Sequence, residues 1–430
     1  MSGAPAGDEG TARTKGAAGP RGGLTVLVNA GPWIAVPPPD YGGIENVVAT
    51  LVTSLRDAGH RVVLATVGES TLEADRRVEA FPDAQFRRLA GPYGDVVGIA
   101  HAHMEAVLHE LRTGPPVDVV HDHVEVVGAS MLAALGEACP PTLQTLHWDL
   151  TKHPAFYETF DGRGRVWFAA VSESQLARAP ENLRRQTVGV VPLAAPVDDR
   201  PPDPPADHLL GLGRLTHLKG FHIAARAARR ADQRLVLAGP VAGLRDRAAV
   251  EATLAAPEAA DRPVPADLRY YLDEVAPLVD GSQVRWVGAV GGPDKDRLLR
   301  TARAVVFPLQ WDEPGGTAMV EALLAGVPVV GFRRGVLPSL VEDGVNGFVC
   351  DDEDELVEAL RRVDGLDREA IAAGARDQLS PARMAADYVR LYEDVMLRAA
   401  ADAQARTTGR ATTAADRGRD VAASMGRVAV

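Results

Sequence analysis

The 430-residue chain is long enough for two domains of ~150–200 residues each. Its composition, with 46% hydrophobic and 24% charged residues, is typical of a globular protein in water. The net charge of −12 argues against a nucleic-acid partner, because phosphate binding requires a basic face, and it disfavours docking on anionic lipid. The two cysteines, Cys139 and Cys350, lie far apart, which predicts free thiols in a reducing, cytoplasmic compartment.

The two ends of the chain lack the patterns of folded segments. Residues 1–22 are rich in Gly and Ala with no hydrophobic centre, which predicts a disordered leader rather than a secretion signal. Residues 399–430 carry Ala, Arg, Thr and Asp without apolar periodicity, which predicts a flexible tail. No apolar run approaches the ~20 residues of a membrane span, so no integral membrane contact is expected.

Short β-branched runs alternate with longer helical stretches along the chain. This alternation predicts an α/β fold with parallel sheets and crossover helices. In the first half it predicts strands over 24–29, 61–66, 118–121, 142–147 and 166–171, with a helix over 44–58. In the second half it predicts strands over 208–212, 233–238, 283–287, 304–307 and 327–331, and a helix over 221–230.

A proline-rich segment separates the two halves. Residues 195–207 contain five prolines and four aspartates, which predicts an extended linker. We therefore expect one doubly wound domain over 23–196 and a second over 205–380. The last strong helix begins at Pro381 and follows both sets of strands.

The most informative segment is the nine-residue frame from Glu313 to Glu321, which holds two carboxylates around a Gly-Gly break. The break lies between a predicted strand end and a helix that begins near Gly316, where free backbone N–H groups bind anions and sugar hydroxyls. The alternative is two ordinary acids favoured by the helix dipole. The apolar run around Glu321 disfavours that alternative, because a carboxylate there is costly unless something binds it. The frame predicts a nucleotide-sugar site.

A glycine-rich segment over 211–220 follows the first strand of the second half. Gly213 allows close backbone approach, Arg214 can donate to two phosphate oxygens, and Lys219 adds a point charge. A turn with two solvated cations is the alternative. The Glu313 frame in the same half favours phosphate binding.

The loops of the first half supply further candidates. Gly42 and Gly43 precede the first long helix and form a second glycine-rich helix start, which suits a phosphate or a sugar. They lack the G-x-G-x-x-G spacing of a dinucleotide site. A plain helix cap is the alternative. Trp33, Tyr41 and Trp148 lie beside the loops predicted to line the cleft. They either stack on an acceptor or pack between loops.

Histidines end two predicted strands of the first half. His147 can orient a sugar hydroxyl, although a structural histidine is the alternative. His121 and His123, together with His101 and His103, suggest a metal site, but no cysteine or further carboxylate completes a ligand set. We therefore expect no metal, and one of these histidines, His123, facing the acceptor.

Taken together, these motifs resemble those of retaining glycosyltransferases of family four. The resemblance rests on five segments and covers about residues 24 to 398: Gly213-Arg214 with Lys219-Gly220, Glu313 to Glu321 with 325–330, 41–45, 171–174 and 340–348. It implies the GT-B fold, in which two Rossmann-like doubly wound domains face each other across a cleft. It also implies that the last helix, over 381–398, returns to the N-terminal domain.

The resemblance assigns roles to individual residues. It implies that Arg214 and Lys219 hold the donor diphosphate, that Glu321 binds the ribose and that Glu313 binds the transferred sugar. The other implied donor contacts come from the backbone of Gly42 and Gly43, the segment Gly315-Gly316-Thr317, and His147. Two departures stand out: Gly315 and Thr317 replace an aromatic residue and a leucine, and Leu193 to Ala195 replace an Asn-Gly turn.

The expected activity is transfer of a sugar from a nucleoside diphosphate donor, with UDP favoured, to a soluble small-molecule acceptor such as a natural-product core. Retention of configuration without metal or permanent cofactor is implied, and homodimer formation is left open. Three alternatives remain: a nucleotide-sugar epimerase, a non-catalytic nucleotide-sugar binder, and a metal-dependent hydrolase that uses His121 and His123.

Overall fold

A computed structural model describes residues 22–39, 42–256 and 263–425, with side chains as far as 406. The N-terminal half forms a seven-stranded parallel sheet in the order β3-β2-β1-β4-β5-β6-β7. Its strands are β1 (Thr25–Asn29), β2 (Arg61–Thr66), β3 (Arg76–Glu79), β4 (Val119–Asp122), β5 (Thr142–Leu146), β6 (Val166–Ala170) and β7 (Thr187–Val190). Strands β1, β4, β5 and β6 are buried along their whole length, as expected for a sheet covered on both faces.

The crossover helices of this half cover the sheet. They are α1 (Gly43–Asp57), α2 (Tyr93–Thr113), α3 (Glu125–Ala134), α4 (Pro154–Thr159), α5 (Glu173–Ala177) and α6 (Glu181–Gln186). In α1 the apolar side chains of Val47, Val48, Leu51 and Leu55 recur at helical spacing and are fully buried. Their packing on the sheet fixes α1 and its glycine-rich N-terminus at the end of β1.

The C-terminal half forms a six-stranded parallel sheet in the order β10-β9-β8-β11-β12-β13. Its strands are β8 (His208–Leu212), β9 (Arg234–Ala238), β10 (Val284–Trp286), β11 (Val305–Phe307), β12 (Val329–Phe332) and β13 (Gly347–Cys350). Its helices are α7 (Phe221–Arg230), α8 (Arg247–Ala255), α9 (Ala266–Tyr270), α10 (Gly292–Arg300), α11 (Thr317–Leu324), α12 (Leu337–Leu340), α13 (Glu353–Arg362) and α14 (Arg368–Leu379). A π-helical turn, Tyr271–Val275, continues α9.

The predicted α/β fold with parallel sheets is confirmed, and three strands were missed. The missed strands β3, β7 and β13 are all edge strands. Strands β3 and β7 bury few of their residues, so their apolar pattern is weak, whereas β13 is buried at three of its four positions but is too short to show a pattern. In β3, for example, only Val78 is buried.

The linker between the sheets is held by a buried arginine. Residues 191–207 contain neither helix nor strand. The Arg300 side chain at the end of α10, only 3% exposed, donates to Asp203 Oδ2 at 2.8 Å and to the Pro201 carbonyl at 2.6 Å. It also contacts Asp198 at 3.4 Å. A guanidinium with this many acceptors fixes the course of the extended segment.

The last helix, α15 (Pro381–Met425), packs against α1 and β5 of the N-terminal half, where Tyr388 and Tyr392 are fully buried. It is longer than the predicted helix over 381–398, and the expected flexible tail over 399–430 is helical as far as Met425. Residues rich in Ala and Arg favour a helix even without apolar periodicity. Residues 1–21 and 426–430 lie outside the described residues, so the disordered leader stays a prediction, as do the domain boundaries.

Both cysteines are buried and unpaired, which confirms the prediction of free thiols. In the described part of the chain, no helix combines the length and the apolar character needed to cross a membrane.

Candidate active site

The candidate donor site lies where the strand order of the C-terminal sheet reverses. From β8 the chain proceeds outward to β9 and β10, and then crosses back to β11 on the other side of β8. In open α/β sheets, such a switch point forms a ligand-binding crevice at the carboxyl ends of the strands, which is where the loops after β8 and β11 lie in this protein. The loop after β8 carries Arg214 and Lys219, and the loop after β11 carries Glu313.

Helix α11 begins where the sequence predicted it. Gly316 is the N-cap residue with φ +64°, a left-handed conformation that glycine adopts without strain, and a Cβ there would lie 2.9 Å from Val336 Cγ1. Its carbonyl accepts the N–H groups of Met319 and Val320, so Thr317 starts the helix. The N-terminal end of α11 therefore presents its partial positive charge beside the Glu313 loop.

The structure brings Lys219 and Glu313 together although 94 residues separate them. The Lys219 ammonium forms an ion pair with Glu313 Oε2 and lies 5.7 Å from the centre of the Trp311 ring. The two side chains are 21% and 15% exposed. Because the pair is partly shielded from water, its electrostatic attraction is strengthened and holds the Lys219 ammonium in place. An anion that displaced Glu313 would meet the same ammonium.

Glu321 has a partner that the sequence did not reveal. Lys295 Nζ lies 2.7 Å from Glu321 Oε1, and the two side chains are 27% and 16% exposed. This ion pair compensates for the carboxylate in its apolar surroundings. Lys295 lies in the first turn of α10, just beyond the carboxyl end of β10. The rule that polar residues at such strand ends line ligand sites was the signal that could have found it.

The loop after β11 also contacts the N-terminal domain. Ser172, the N-cap residue of α5, donates a hydrogen bond from its hydroxyl to the Pro314 carbonyl at 2.6 Å. A Cβ on Gly315 would lie 2.4 Å from Leu193 Cδ1. The two departures from the family pattern thus face each other, and Leu193 fills the space beside Gly315. The missing side chain therefore leaves no gap on this side of the loop.

The close approach of Leu193 and Gly315 predicts non-additive mutations. Gly315→Ala alone is expected to destabilise the protein by ~1–3 kcal/mol, because the added methyl group overlaps Leu193. Combining it with Leu193→Ala is expected to cost less than the sum of the two single changes. Urea unfolding of the four proteins measures this coupling, with Gly374→Ala as a control, since a Cβ at Gly374 meets no atom within 4 Å. Additive free energies would contradict the contact.

The N-terminal sheet places three histidines at the carboxyl ends of β4 and β5. His123 Nδ1 lies 2.8 Å from His147 Nε2, so one ring donates and the other accepts. His121 packs beside His123 with ring centres 4.1 Å apart. Both nitrogens of His121 are hydrogen-bonded at 2.7 Å, one to the Tyr392 hydroxyl and one to the Thr145 hydroxyl.

The metal-site interpretation of these histidines is not supported. His121 has no free ligand atom, because Tyr392 and Thr145 occupy both nitrogens. His101 is exposed on α2, and His103 is buried against Asn29, with Nε2 2.7 Å from Asn29 Oδ1. The four histidines therefore do not converge on one ion, and the metal hydrolase loses its structural basis.

Burial controls the protonation of this region. It lowers the pKa of His147 to about 3 and that of His103 to about 4, and it lowers the pKa of His121 and His123 well below the usual value. Burial also raises the pKa of Asp122 to about 7, against the hydrogen bonds from Gln144 and Asn29, which lower it. At neutral pH the histidines are uncharged hydrogen-bonding groups.

The remaining candidates have mixed outcomes. Gly42 caps α1 and Gly43 starts it, with Trp33 half-buried in the loop before it. Trp148 is only 8% exposed and donates its indole N–H to the Tyr157 hydroxyl at 2.6 Å, which is the packing alternative, so its contact with an acceptor stays a prediction. Tyr41 lies outside the described residues.

Comparison with known proteins gives a consistent result. Residues 202–376 match the family described as glycosyl transferases group 1, and residues 41–183 match glycosyltransferase family 4. The chain is 25% identical over 357 residues to a D-inositol 3-phosphate glycosyltransferase of Pseudarthrobacter chlorophenolicus, covering 73% of this chain and 79% of that protein. Three other curated relatives align over only 22%, 30% and 22% of their own lengths.

Two solved structures show the same architecture. AviGT4, a glycosyltransferase involved in avilamycin A biosynthesis, is 28% identical, with 87% of this chain and 98% of that chain covered and a TM-score of 0.57. Anabaena Alr3699/HepE in complex with UDP-glucose is 18% identical, with 86% and 100% covered and a TM-score of 0.56. The fold is thus the two-domain GT-B fold of glycosyltransferases. Within that class, the chain belongs to the group 1 glycosyltransferases of family four.

Proposed function

We propose that this protein is a retaining glycosyltransferase that moves a sugar from a nucleoside diphosphate donor to a soluble small-molecule acceptor. One observation carries the proposal: the loops after β8 and β11 meet at the switch point of the sheet and bring Lys219 against Glu313. The site thereby combines a cation for a diphosphate with a carboxylate for sugar hydroxyls.

The donor would bind along the C-terminal domain. Arg214 and Lys219 would neutralise the diphosphate, with Lys219 exchanging Glu313 for a phosphate oxygen. Glu313 would then accept hydrogen bonds from the transferred sugar, and Glu321, held by Lys295, would accept from the ribose diol. The UDP-glucose complex of the Anabaena neighbour supports a nucleotide sugar as donor and UDP as the first nucleotide to test.

The proposed mechanism is electrostatic. As the bond from the anomeric carbon to the leaving oxygen breaks, Lys219, Arg214 and the N-terminal end of α11 stabilise the negative charge that develops on the diphosphate. The leaving phosphate oxygen takes the proton of the acceptor hydroxyl, which attacks from the same face, so configuration is retained. Neither a side-chain nucleophile nor a metal ion is required by this route.

The acceptor would bind on the N-terminal side of the cleft, near His123, Trp33 and Trp148, while His147 would contact the transferred sugar of the donor. The 28% identity with AviGT4 supports an acceptor of the natural-product class. The net charge of −12 disfavours an anionic lipid acceptor. Flotation with anionic liposomes tests this part, and strong binding would contradict a soluble acceptor.

The donor site is tested by thermal shift with UDP, GDP, ADP and dTDP, with and without EDTA. We expect one nucleotide to raise the melting temperature, independent of chelator. If Glu321 binds the ribose diol, the matched 2′-deoxy nucleotide stabilises less, and Glu321→Gln reduces that difference. No shift with any nucleotide would refute the donor site, and consumption of the sugar nucleotide without acceptor, giving an isomer, would indicate an epimerase.

A further inference from the structure

We propose that His217, His222 and Glu274 form a binding site for a transition-metal ion such as Zn²⁺, separate from the reacting atoms. Each residue offers one ligand atom, and these atoms all lie within 4.8 Å of one another. Among the described side chains, which omit those of 1–21, 40–41, 257–262 and 407–430, no second group of three such residues meets this distance. The proposal goes beyond sugar transfer and does not depend on it.

The distances suit a tetrahedral ion. His222 Nε2 and Glu274 Oε2 are 3.4 Å apart. Two ligands at ~2.0–2.1 Å from Zn²⁺ in tetrahedral geometry are separated by about 3.4 Å. The rings of His217 and His222 stack with centres 5.5 Å apart and an angle of 25° between their planes. Since His217 and Glu274 are exposed, small side-chain rotations suffice to bring all three ligand atoms onto one ion.

The buried ligand is held in the orientation that metal binding requires. His222 is largely buried, and its Nδ1 lies 2.9 Å from the Tyr270 hydroxyl. The same hydroxyl accepts the backbone N–H of His222 at 3.2 Å. A hydrogen bond on one ring nitrogen fixes the ring and leaves the other nitrogen, here Nε2, directed at the ion. Two imidazoles and one carboxylate are ligands typical of zinc and its neighbours.

The three ligands come from three backbone segments. His217 starts the short 3-10 helix His217–Lys219, His222 lies in the first turn of α7, and Glu274 lies in the π-helical turn after α9. Such π turns are rare and occur frequently at functional sites. The spacing from His217 to Glu274 matches no local metal motif, so only the tertiary structure brings the group together.

Metal binding would connect the loop after β8, which carries Lys219, to the π-helical turn. His217 lies two residues before Lys219, whose ammonium contacts Glu313. An ion shared by His217 and Glu274 would restrain the loop that carries Lys219. We therefore expect occupancy to stabilise the protein, since an ion that binds the folded form alone shifts the folding equilibrium.

The test uses the full chain without a histidine tag, stripped with chelator. Titration calorimetry with Zn²⁺ and visible absorption with Co²⁺ are expected to show one saturable equivalent and a rise in melting temperature. His217→Ala and Glu274→Gln are expected to weaken binding at least tenfold. Both positions are exposed, so these variants are expected to fold.

The matched control is His109→Ala, an exposed histidine on α2 that lies outside the group. It is expected to bind the ion as wild type does. Absence of saturable binding would overturn the proposal. So would binding that survives His217→Ala, or binding that is lost in His123→Gln, because either result would place the ion elsewhere. Loss of nucleotide binding with metal binding intact would affect only the proposed transferase site.

Discussion

Replacing Lys219 with alanine is expected to lower turnover by ~10²-fold or more, because a fixed cation at the departing diphosphate is lost. A 10²-fold loss corresponds to ~2.7 kcal/mol of barrier. The ammonium is well placed for this role, since its partner Glu313 and the nearby Trp311 ring hold it at the crevice. The change also leaves Glu313 without that partner, so stability must be measured together with activity.

The measurement is the steady-state rate with the donor identified by thermal shift, alongside urea unfolding. Lys219→Arg, which keeps the charge, is expected to retain more activity than Lys219→Ala. Arg226→Ala is the control, because Arg226 is a cation of the same domain whose ion pair with Glu353 lies at the surface. Near-wild-type turnover in Lys219→Ala would remove this residue from the mechanism.

Stability is expected to fall steeply as the pH is lowered from about 6.5 towards 4. The pKa values of His103, His121, His123 and His147 are lowered by burial in the folded protein. Below pH 6.5 the unfolded chain therefore binds protons that the folded chain does not, and unfolding is favoured. Each such histidine contributes about 1.4 kcal/mol per pH unit.

Two buried carboxyls act in the opposite direction. Burial raises the pKa of Asp122 and of Glu45 to about 7 in the folded state, from 3.8 and 4.5. Between these values the folded chain binds more protons than the unfolded chain, so both groups add stability as pH falls. These four histidines against two carboxyls leave a net uptake of about two protons on unfolding, or about 2.7 kcal/mol per pH unit. Burial also lowers the pKa of His208 and His222, which adds to this uptake.

Urea unfolding at several pH values between 5 and 7.5 measures this slope. His123→Gln is expected to reduce it by about 1.4 kcal/mol per pH unit, because one proton-binding group of the unfolded chain is removed. The exposed His109→Gln provides the reference for loss of a histidine elsewhere. A flat profile between pH 5 and 6.5 would show that the buried histidines take up protons in the folded state as readily as in the unfolded one.

Several features followed from the sequence because they are encoded locally. Helix α7 was predicted over 221–230, where the structure has it, since its apolar periodicity and the glycine before it lie within one segment. The start of α11 followed from the Gly-Gly break. The start of α13 is encoded locally too, since Asp352 accepts the N–H groups of Asp354 and Glu355.

Other features depended on which segments the fold brings together. The sequence alone determined the α/β class, the central strands and the segments that carry the donor-site candidates, because periodicity and turn chemistry are local. Only the tertiary structure decided the pairs Lys219–Glu313 and Lys295–Glu321 and the contact of Leu193 with Gly315. It alone also decided the edge strands β3, β7 and β13 and the grouping of His217 with Glu274. These depend on strand order and on the packing of distant segments, which no local pattern contains.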